Sequence, residues 1–395
     1  MRSTTGDTRG TSRLDGSTPS LGLDHAVLDD AVAGIRRGAA ERDESPGFPR
    51  RPFELLARAG ALALPVQKPV SETGRRAAFR EEWSALRAVA GADGSVGRIY
   101  DGHLNAVERL SVAAPEPLRS LELERVAADG LLLGVWGTDP VPGEGEPARL
   151  VETGGAEVGT TLRGVKTFCS GAGGVDRALV LARGPEGSPP GPPYLAYVDL
   201  SEAPGRHEID RGWYRSAGMR SSESHRVIFR DAPVLAVLGG PGEISRDPYF
   251  GRDAVRTAVS WAGIADRAVD SALATLAEKT GGDPDDIVSL AAGRMLAEQG
   301  TMDRWIDHAA TVADRDPEAS FAGLSIRLRS AVADSCRRIL DEAARACGSR
   351  PFAVSDPLDR ARRDLELFLL QHRLEPALAR AGREAILYSR GADER

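Results

Sequence analysis

The sequence predicts an α+β protein in three parts: an N-terminal helical domain, a middle antiparallel β domain and a C-terminal four-helix bundle. Three observations carry this. Apolar residues recur at spacings of three and four over about 21–125, as an amphipathic helix requires. Short apolar or alternating runs cut by glycine and proline fill about 126–243, the pattern of half-buried strands joined by turns. Long helical periodicity then returns over 244–395.

The parts follow in order. Residues 1–20, MRSTTGDTRGTSRLDGSTPS, are polar and turn-rich with almost nothing to bury, and are expected to be a disordered tail. HAVLDDAVAGIRR, FELLARAGALALPV and FREEWSALRAVAGADGS supply the first helices, the last run being ended by glycines. LLLGVWG, ARLVETG, TTLRGVKTFCSG, RALVLARG, YLAYVDL and SHRVIFRDAPV read as strands. Four stretches beyond residue 244 read as bundle helices, the last being DRARRDLELFLLQHR. Leu328, Val332, Cys336 and Ile339 form one apolar stripe at helical spacing.

Composition excludes several function classes. The chain has 395 residues, 41% hydrophobic and 28% charged, enough to bury a sizeable core. Its 51 basic and 58 acidic residues are interspersed, and the formal charge is -7. Neither nucleic acid nor an anionic membrane is expected as a partner. No stretch approaches the roughly 20 apolar residues of a membrane-spanning helix. Cys169, Cys336 and Cys347 are odd in number and lack metal-ligand spacing, and no secretory segment opens the chain. The expectation is a cytoplasmic protein with no metal.

Helices, then strands, then a bundle is an uncommon order, and the local residues resemble the acyl-CoA dehydrogenase family from about residue 40 onward. The resemblance rests on LLLGVWGTDP (131–140), LRGVKTFCSGAGGVDRALVLAR (162–183), SAGMRSSESHRVIFRDAPV (216–234), WAGIADRAVDSAL (261–273) and PLDRARRDLELFLLQH (357–372). It implies an acyl-CoA dehydrogenase-like fold with the flavin of FAD between the β domain and the bundle. By the same resemblance Trp136, Gly137 and Thr138 would lie along the flavin, with the Thr138 hydroxyl near its pyrimidine edge. Phe168 would flank the ring and Ser170 would offer a hydroxyl to N5. An isoalloxazine needs donors at its polar rim and flat apolar walls elsewhere. On general grounds the two aromatics also suit a core, and Thr138 a turn. Cys169 is expected on the opposite face of its strand, as an inert buried thiol.

The family resemblance implies a carboxylate base eight residues beyond the aspartate of an Arg-Asp pair. Here the pair is Arg363-Asp364, and the eighth residue on is His372. Leu365, Phe368 and Leu369 place His372 on their buried helical face, which suits a satisfied core histidine. Pro376 is expected to end or kink this helix within a turn, which suits an imidazole at the cleft, poised for proton transfer. Asp253, on the first bundle helix, is the second candidate base. It equally suits an acidic residue in a first helical turn. The family's Arg-x-x-Phe-Gly segment, which contacts FAD in a neighbouring subunit, is absent from AEKTGGDPDDIVSLAAG.

The first expectation is α,β-dehydrogenation or oxidation of an acyl thioester on CoA or a carrier protein. The alternative is a flavin-dependent monooxygenase of the same fold, hydroxylating carbon, nitrogen or sulfur, and His372 in place of the glutamate keeps it open. A non-catalytic relative is the second alternative, opposed by the intact Thr138 and Ser170. The resemblance implies a homo-oligomer, a dimer or tetramer, built through the bundle, and the bundle's broad apolar stripes support one. His103, Trp83, His225 and His308 are read as structural.

Overall fold

A computed structural model of the chain describes residues 23–66, 77–153, 159–201, 205–244, 246–371 and 373–392. The tail predicted over 1–20 lies outside the described residues. Six helices come first: α1 (His25–Arg37), α2 (Ala39–Glu44), α3 (Arg50–Arg58), α4 (Phe79–Ala92), α5 (Gly94–Ala113) and α6 (Leu118–Ala128). Asp93 separates α4 from α5, ending the first and accepting from Val96 N at 3.1 Å to open the second, as an N-cap carboxylate does. The glycines of GADGS therefore mark a turn between two helices.

Seven strands follow: β1 (Leu133–Trp136), β2 (Arg149–Thr153), β3 (Gly159–Cys169), β4 (Arg177–Ala182), β5 (Tyr194–Asp199), β6 (His207–Asp210) and β7 (His225–Leu238). They form one sheet in the order β1-β4-β5-β7-β3-β2, with β6 also paired to β7. The first half of β7 pairs with β3 and β6 and its second half with β5, so this long strand joins the two halves of the sheet. All pairings are antiparallel except β1 with β4. The chain leaves β1, makes β2 and β3 on the far edge and returns as β4, an excursion long enough for the crossover that a parallel pair needs.

The last helices are α7 (Tyr249–Thr280), α8 (Asp286–Arg315), α9 (Ala322–Cys347), α10 (Arg350–Ala353), α11 (Pro357–Phe368) and α12 (Glu375–Ala392). α7 and α9 run in the same direction: Phe321 N bonds Asp247 near one end, and Cys347 Sγ lies 3.7 Å from Ala272 O near the other. Leu328, Val332, Cys336 and Ile339 are all completely buried along α9, each such side chain contributing about 1.5–3 kcal/mol. α4 crosses α7 where Gly91 meets Gly263. A Cβ on Gly91 would stand 2.8 Å from Gly263 O, and one on Gly263 would overlap Arg87 O, so these glycines let two backbones approach.

The C-terminal end corrects the sequence reading. α11 stops at Phe368 with Leu369 as its cap, and Leu370 is exposed. Leu365, Phe368 and Leu369 turn into the core, and residues 369–371 are no longer helical; the predicted His372 lies outside the described residues. Pro376 does not end this helix. It sits in the first turn of α12, where proline's missing N–H costs nothing. α12 itself was not predicted.

Candidate functional site

The end of β1 continues as Gly137-Thr138-Asp139, held against β3 by Thr167 N donating to Thr138 O at 3.0 Å. Lys166 Nζ donates to Gly137 O at 3.1 Å and to Asp139 Oδ1 at 2.7 Å. Burial pulls the Lys166 ammonium below its usual range, while Asp139 opposes the shift. Gly137 and Thr138 are exposed, and the Thr138 hydroxyl has no partner among the described residues. Trp136, by contrast, is enclosed: its ring packs on Phe229 at 6.2 Å and its Nε1 donates to Ser170 O at 3.0 Å. Its contribution is to lock β1 to the end of β3.

β3 slips register against β7 between Lys166 and Cys169, and within that irregularity Phe168 takes φ of 52°. A left-handed phenylalanine is rare and persists only where its surroundings impose it. The bulge turns the Phe168 ring outward, 51% exposed. There it meets Trp213 edge-on, with centroids 4.9 Å apart and planes at 82°. Cys169 stays fully buried, and burial pushes its thiol up.

Ser170 begins a hydroxyl chain. Its Oγ lies 2.9 Å from Ser224 Oγ, which lies 2.7 Å from Ser222 Oγ. Ser222 makes a long 3.5 Å bond to the Tyr214 hydroxyl, which donates to Met219 O at 3.2 Å. Ser222 O accepts from Gly171 N at 2.8 Å. Met219 and Glu223 are also left-handed, with φ of 53° and 47°, so three strained residues surround the chain. Asp364 of α11 braces the same loop by accepting from Met219 N at 2.5 Å. Ser222, Ser224, Tyr214 and Asp364 were missed in the sequence. The serine alternation in SSES was the visible signal, but the contacts it makes are long-range.

Of the two candidate bases, His372 lies outside the described residues and Asp253 stands apart from this loop. Asp253 receives two bonds from Arg109, Nη1 to Oδ1 at 2.8 Å and Nη2 to Oδ2, and Arg256 stands 3.7 Å away. Gly171 packs at Ile99 on α5. Arg109 is ten residues further along that helix, about 15 Å at 1.5 Å per residue. Asp253 therefore belongs to a buried network between α4, α5 and α7, in which Arg256 also bonds Glu82, Asn105 and Glu108. Asp101 is part of it, bonded by Asn105 and Thr257 and pushed up to about 6 by burial, with Arg98 opposing.

His103 is fixed by Nε2 at 2.9 Å from Leu62 O, while Nδ1 accepts from Leu133 N. Burial holds it neutral, down to about 4. It ties α5 to β1, a structural role. His225 is buried beside Glu223 and edge-on to Tyr214. Among the described residues no group of three or more His, Cys, Asp or Glu is placed to hold a metal, and no helix is long and apolar enough to cross a membrane.

Chemically, this arrangement offers a Thr138 hydroxyl with no partner among the described residues, the Ser170 hydroxyl at one end of a hydroxyl chain and an outward aromatic wall at Phe168. That donor set fits the polar rim and flat face of a flavin.

No family model matches the sequence. Among curated proteins, the dibenzothiophene monooxygenase of Rhodococcus qingshengii is 28% identical over 213 residues, 52% of this chain and 49% of that protein. That of Mycolicibacterium goodii is 27% identical over 211 residues, 52% and 48%. The chain spans about half the length of the curated relatives it matches. FMN-bound TdsC from Paenibacillus sp. A11-2 superposes with a TM-score of 0.79 at 20% identity, over 92% of this chain and 98% of that one. The methanesulfinate monooxygenase MsuC from Pseudomonas fluorescens gives 0.76 at 20%, over 92% and 96%. KijD3 in complex with FMN and a dTDP-linked amino sugar gives 0.76 at 22%, over 93% and 94%. Over nine-tenths of its length the chain thus has the acyl-CoA dehydrogenase-like fold that TdsC displays.

Proposed function

We propose that this chain is a flavin-dependent monooxygenase that uses FMN and oxygenates a small organic substrate at carbon, nitrogen or sulfur. The observation that carries this reading is the engagement of Asp253. Thioester dehydrogenation needs a free carboxylate to take the α-proton; the glutamate expected at 372 is a histidine, and Asp253 is held by two guanidinium bonds. The monooxygenase names of the similar proteins support the same choice over dehydrogenation. FMN is favoured over FAD by the neighbours whose titles carry FMN. The short α7–α8 connection at Gly281–Asp285, which lacks the Arg-x-x-Phe-Gly segment, agrees, since FMN has no adenine to hold.

When bound and reduced, the flavin would supply two electrons to O2, one oxygen atom going to the substrate and the other to water. The chain's residues would bind and orient. Gly137 and Thr138 would meet the polar edge, Phe168 would wall the ring, Ser170 would face N5 with its hydroxyl oriented by Ser224, and Trp136 would fix the spacing between those segments. His372 would exchange the proton that the carboxylate handles in dehydrogenases. Assembly would be a homo-oligomer joined through the bundle and α12.

The test supplies reduced FMN, oxygen and a panel of indoles, thiophenes, amines and sulfinates, and looks for an oxygenated product. In parallel, acyl thioesters are added anaerobically to the oxidised flavoprotein. Bleaching of the flavin by a thioester would overturn the monooxygenase reading.

A further inference from the structure

Between α5, α7, α9 and α11 lies a positive charge that the fold leaves unmatched. Arg329 on α9 is 6% exposed, and its Nε and Nη2 are sealed from solvent with no hydrogen-bond partner among the described residues. Its guanidinium stacks on Trp261 of α7, 5.1 Å from the ring centroid. The Trp261 Nε1, also buried, has no partner among them either. On the other side Trp261 meets Phe368 of α11 edge-on at 6.1 Å, and Arg98 of α5 covers Phe368 at 5.7 Å.

Neighbouring charges do not answer Arg329. In the adjacent network Glu82, Asp101, Glu108 and Asp253 are paired with Arg98, Arg109, Arg252 and Arg256. Four carboxylates meet four guanidiniums, and Arg329 is the fifth cation. Burial lowers it to about 10, with Asp101 opposing, so it stays charged near neutrality. A buried guanidinium is costly unless it is paired and hydrogen-bonded, and its planar fork is shaped for an oxyanion. The position suits a substrate. Arg98 precedes Ile99, the residue against Gly171 beside Ser170, and Phe368 ends α11.

We propose that Arg329, with Arg98 across the Trp261–Phe368 ring pair, forms the anion-reading end of the substrate site. The substrate is then a small organic acid, a carboxylate or sulfinate with an apolar body lying along the rings. The inference rests on the monooxygenase reading for the word substrate, and on geometry alone for the anion.

The experiment titrates benzoate, methanesulfinate and neutral benzamide into the flavin-free protein by calorimetry, using the parent, Arg329→Gln and Arg329→Lys. At least one of the two acids binds the parent, at least tenfold more weakly to Arg329→Gln and at an intermediate level to Arg329→Lys, while benzamide binds to none. Equal binding of that acid to parent and Arg329→Gln, or binding of neither acid to the parent, overturns the site. Chloride displacing the acid at equal concentration means an adventitious ion only, and also overturns it. FMN and riboflavin are titrated alongside. If Arg329→Gln weakens FMN at least tenfold and leaves riboflavin unchanged, Arg329 serves the flavin phosphate and the substrate proposal fails. Loss of the monooxygenase reading in the turnover assay, with acid binding intact, would leave an anion site of a different enzyme.

Discussion

Asp364 and Met219 join the bundle to the loop beside the hydroxyl chain: the carboxylate on α11 accepts from the Met219 backbone N–H at 2.5 Å. The contact lies under the left-handed Met219, so the strained loop is braced from a helix distant in sequence. Burial pushes Asp364 up to about 7, Asp93 and Asp43 add to the shift, and the Met219 N–H and Arg360 oppose it.

This shift gives a pH dependence of definite sign. The unfolded carboxyl titrates near 3.9. Between about pH 4 and 7 the folded chain therefore holds a proton that the unfolded chain has released, and stability falls as pH rises through that window. Asp101, raised to about 6, acts in the same direction. His103, held down to about 4, acts oppositely, losing its share of stability as pH falls from about 6.5 to 4. Asp364→Asn keeps an acceptor for Met219 and removes only its own titration. The melting temperature of the parent minus that of Asp364→Asn is expected to decline from pH 5 to 7 and level above it; a flat difference would refute the buried proton.

Thr138 and Ser170 are expected to act on flavin binding. Replacing both with valine leaves two polar edges of the ligand without donors and weakens FMN by about 2 kcal/mol, roughly thirtyfold by fluorescence titration. Unchanged affinity would remove these residues from the site.

Asp253→Asn separates a base from an ion-pair partner. Removing the charge leaves Arg109 uncompensated, at a cost of about 2–3 kcal/mol in denaturant unfolding, since a broken buried pair is more expensive than an absent one. Turnover by the folded fraction is expected within about twofold of the parent. A loss of about a hundredfold or more, the usual effect of a proton-transfer group, would restore Asp253 as catalytic.

How much of this was legible in the sequence follows from what each signal depends on. The α9 stripe and the strand runs near 131–137 and 160–171 are local patterns, and they read correctly because periodicity is a property of a single segment. The parallel β1–β4 pair was not legible, because strand direction depends on how the chain returns and not on strand composition. The end of α11 was misread because LELFLLQ continues the apolar pattern while the backbone turns at Leu369. Phe168 and Ser170 were assigned to the flavin site by resemblance alone; the bulge that turns one outward and the serines that bond the other come from β7 and its preceding loop. Asp253 illustrates the same limit: its ion-pair partner is Arg109, 144 residues earlier.

α12 has no buried residue from Glu375 through Tyr388, and Ile386, Leu387 and Tyr388 are 62–80% exposed. A helix of this length is marginal in water alone. Light scattering is expected to give a multiple of 41.9 kDa, and deletion from Glu375 onward to lower it. A parent mass equal to one chain would contradict the oligomer.

The outward Phe168 has a consequence for the protein before it is loaded. A half-exposed ring set edge-on to Trp213 leaves apolar surface open to solvent, and contiguous exposed apolar surface favours aggregation. A ligand that covers it suppresses that by mass action, because it binds only the folded chain. The flavin-free protein is therefore the state in which aggregation is expected during expression and storage. The hydrophobic dye ANS should brighten on it and dim as FMN is added, and supplementing riboflavin in the culture should raise the soluble yield.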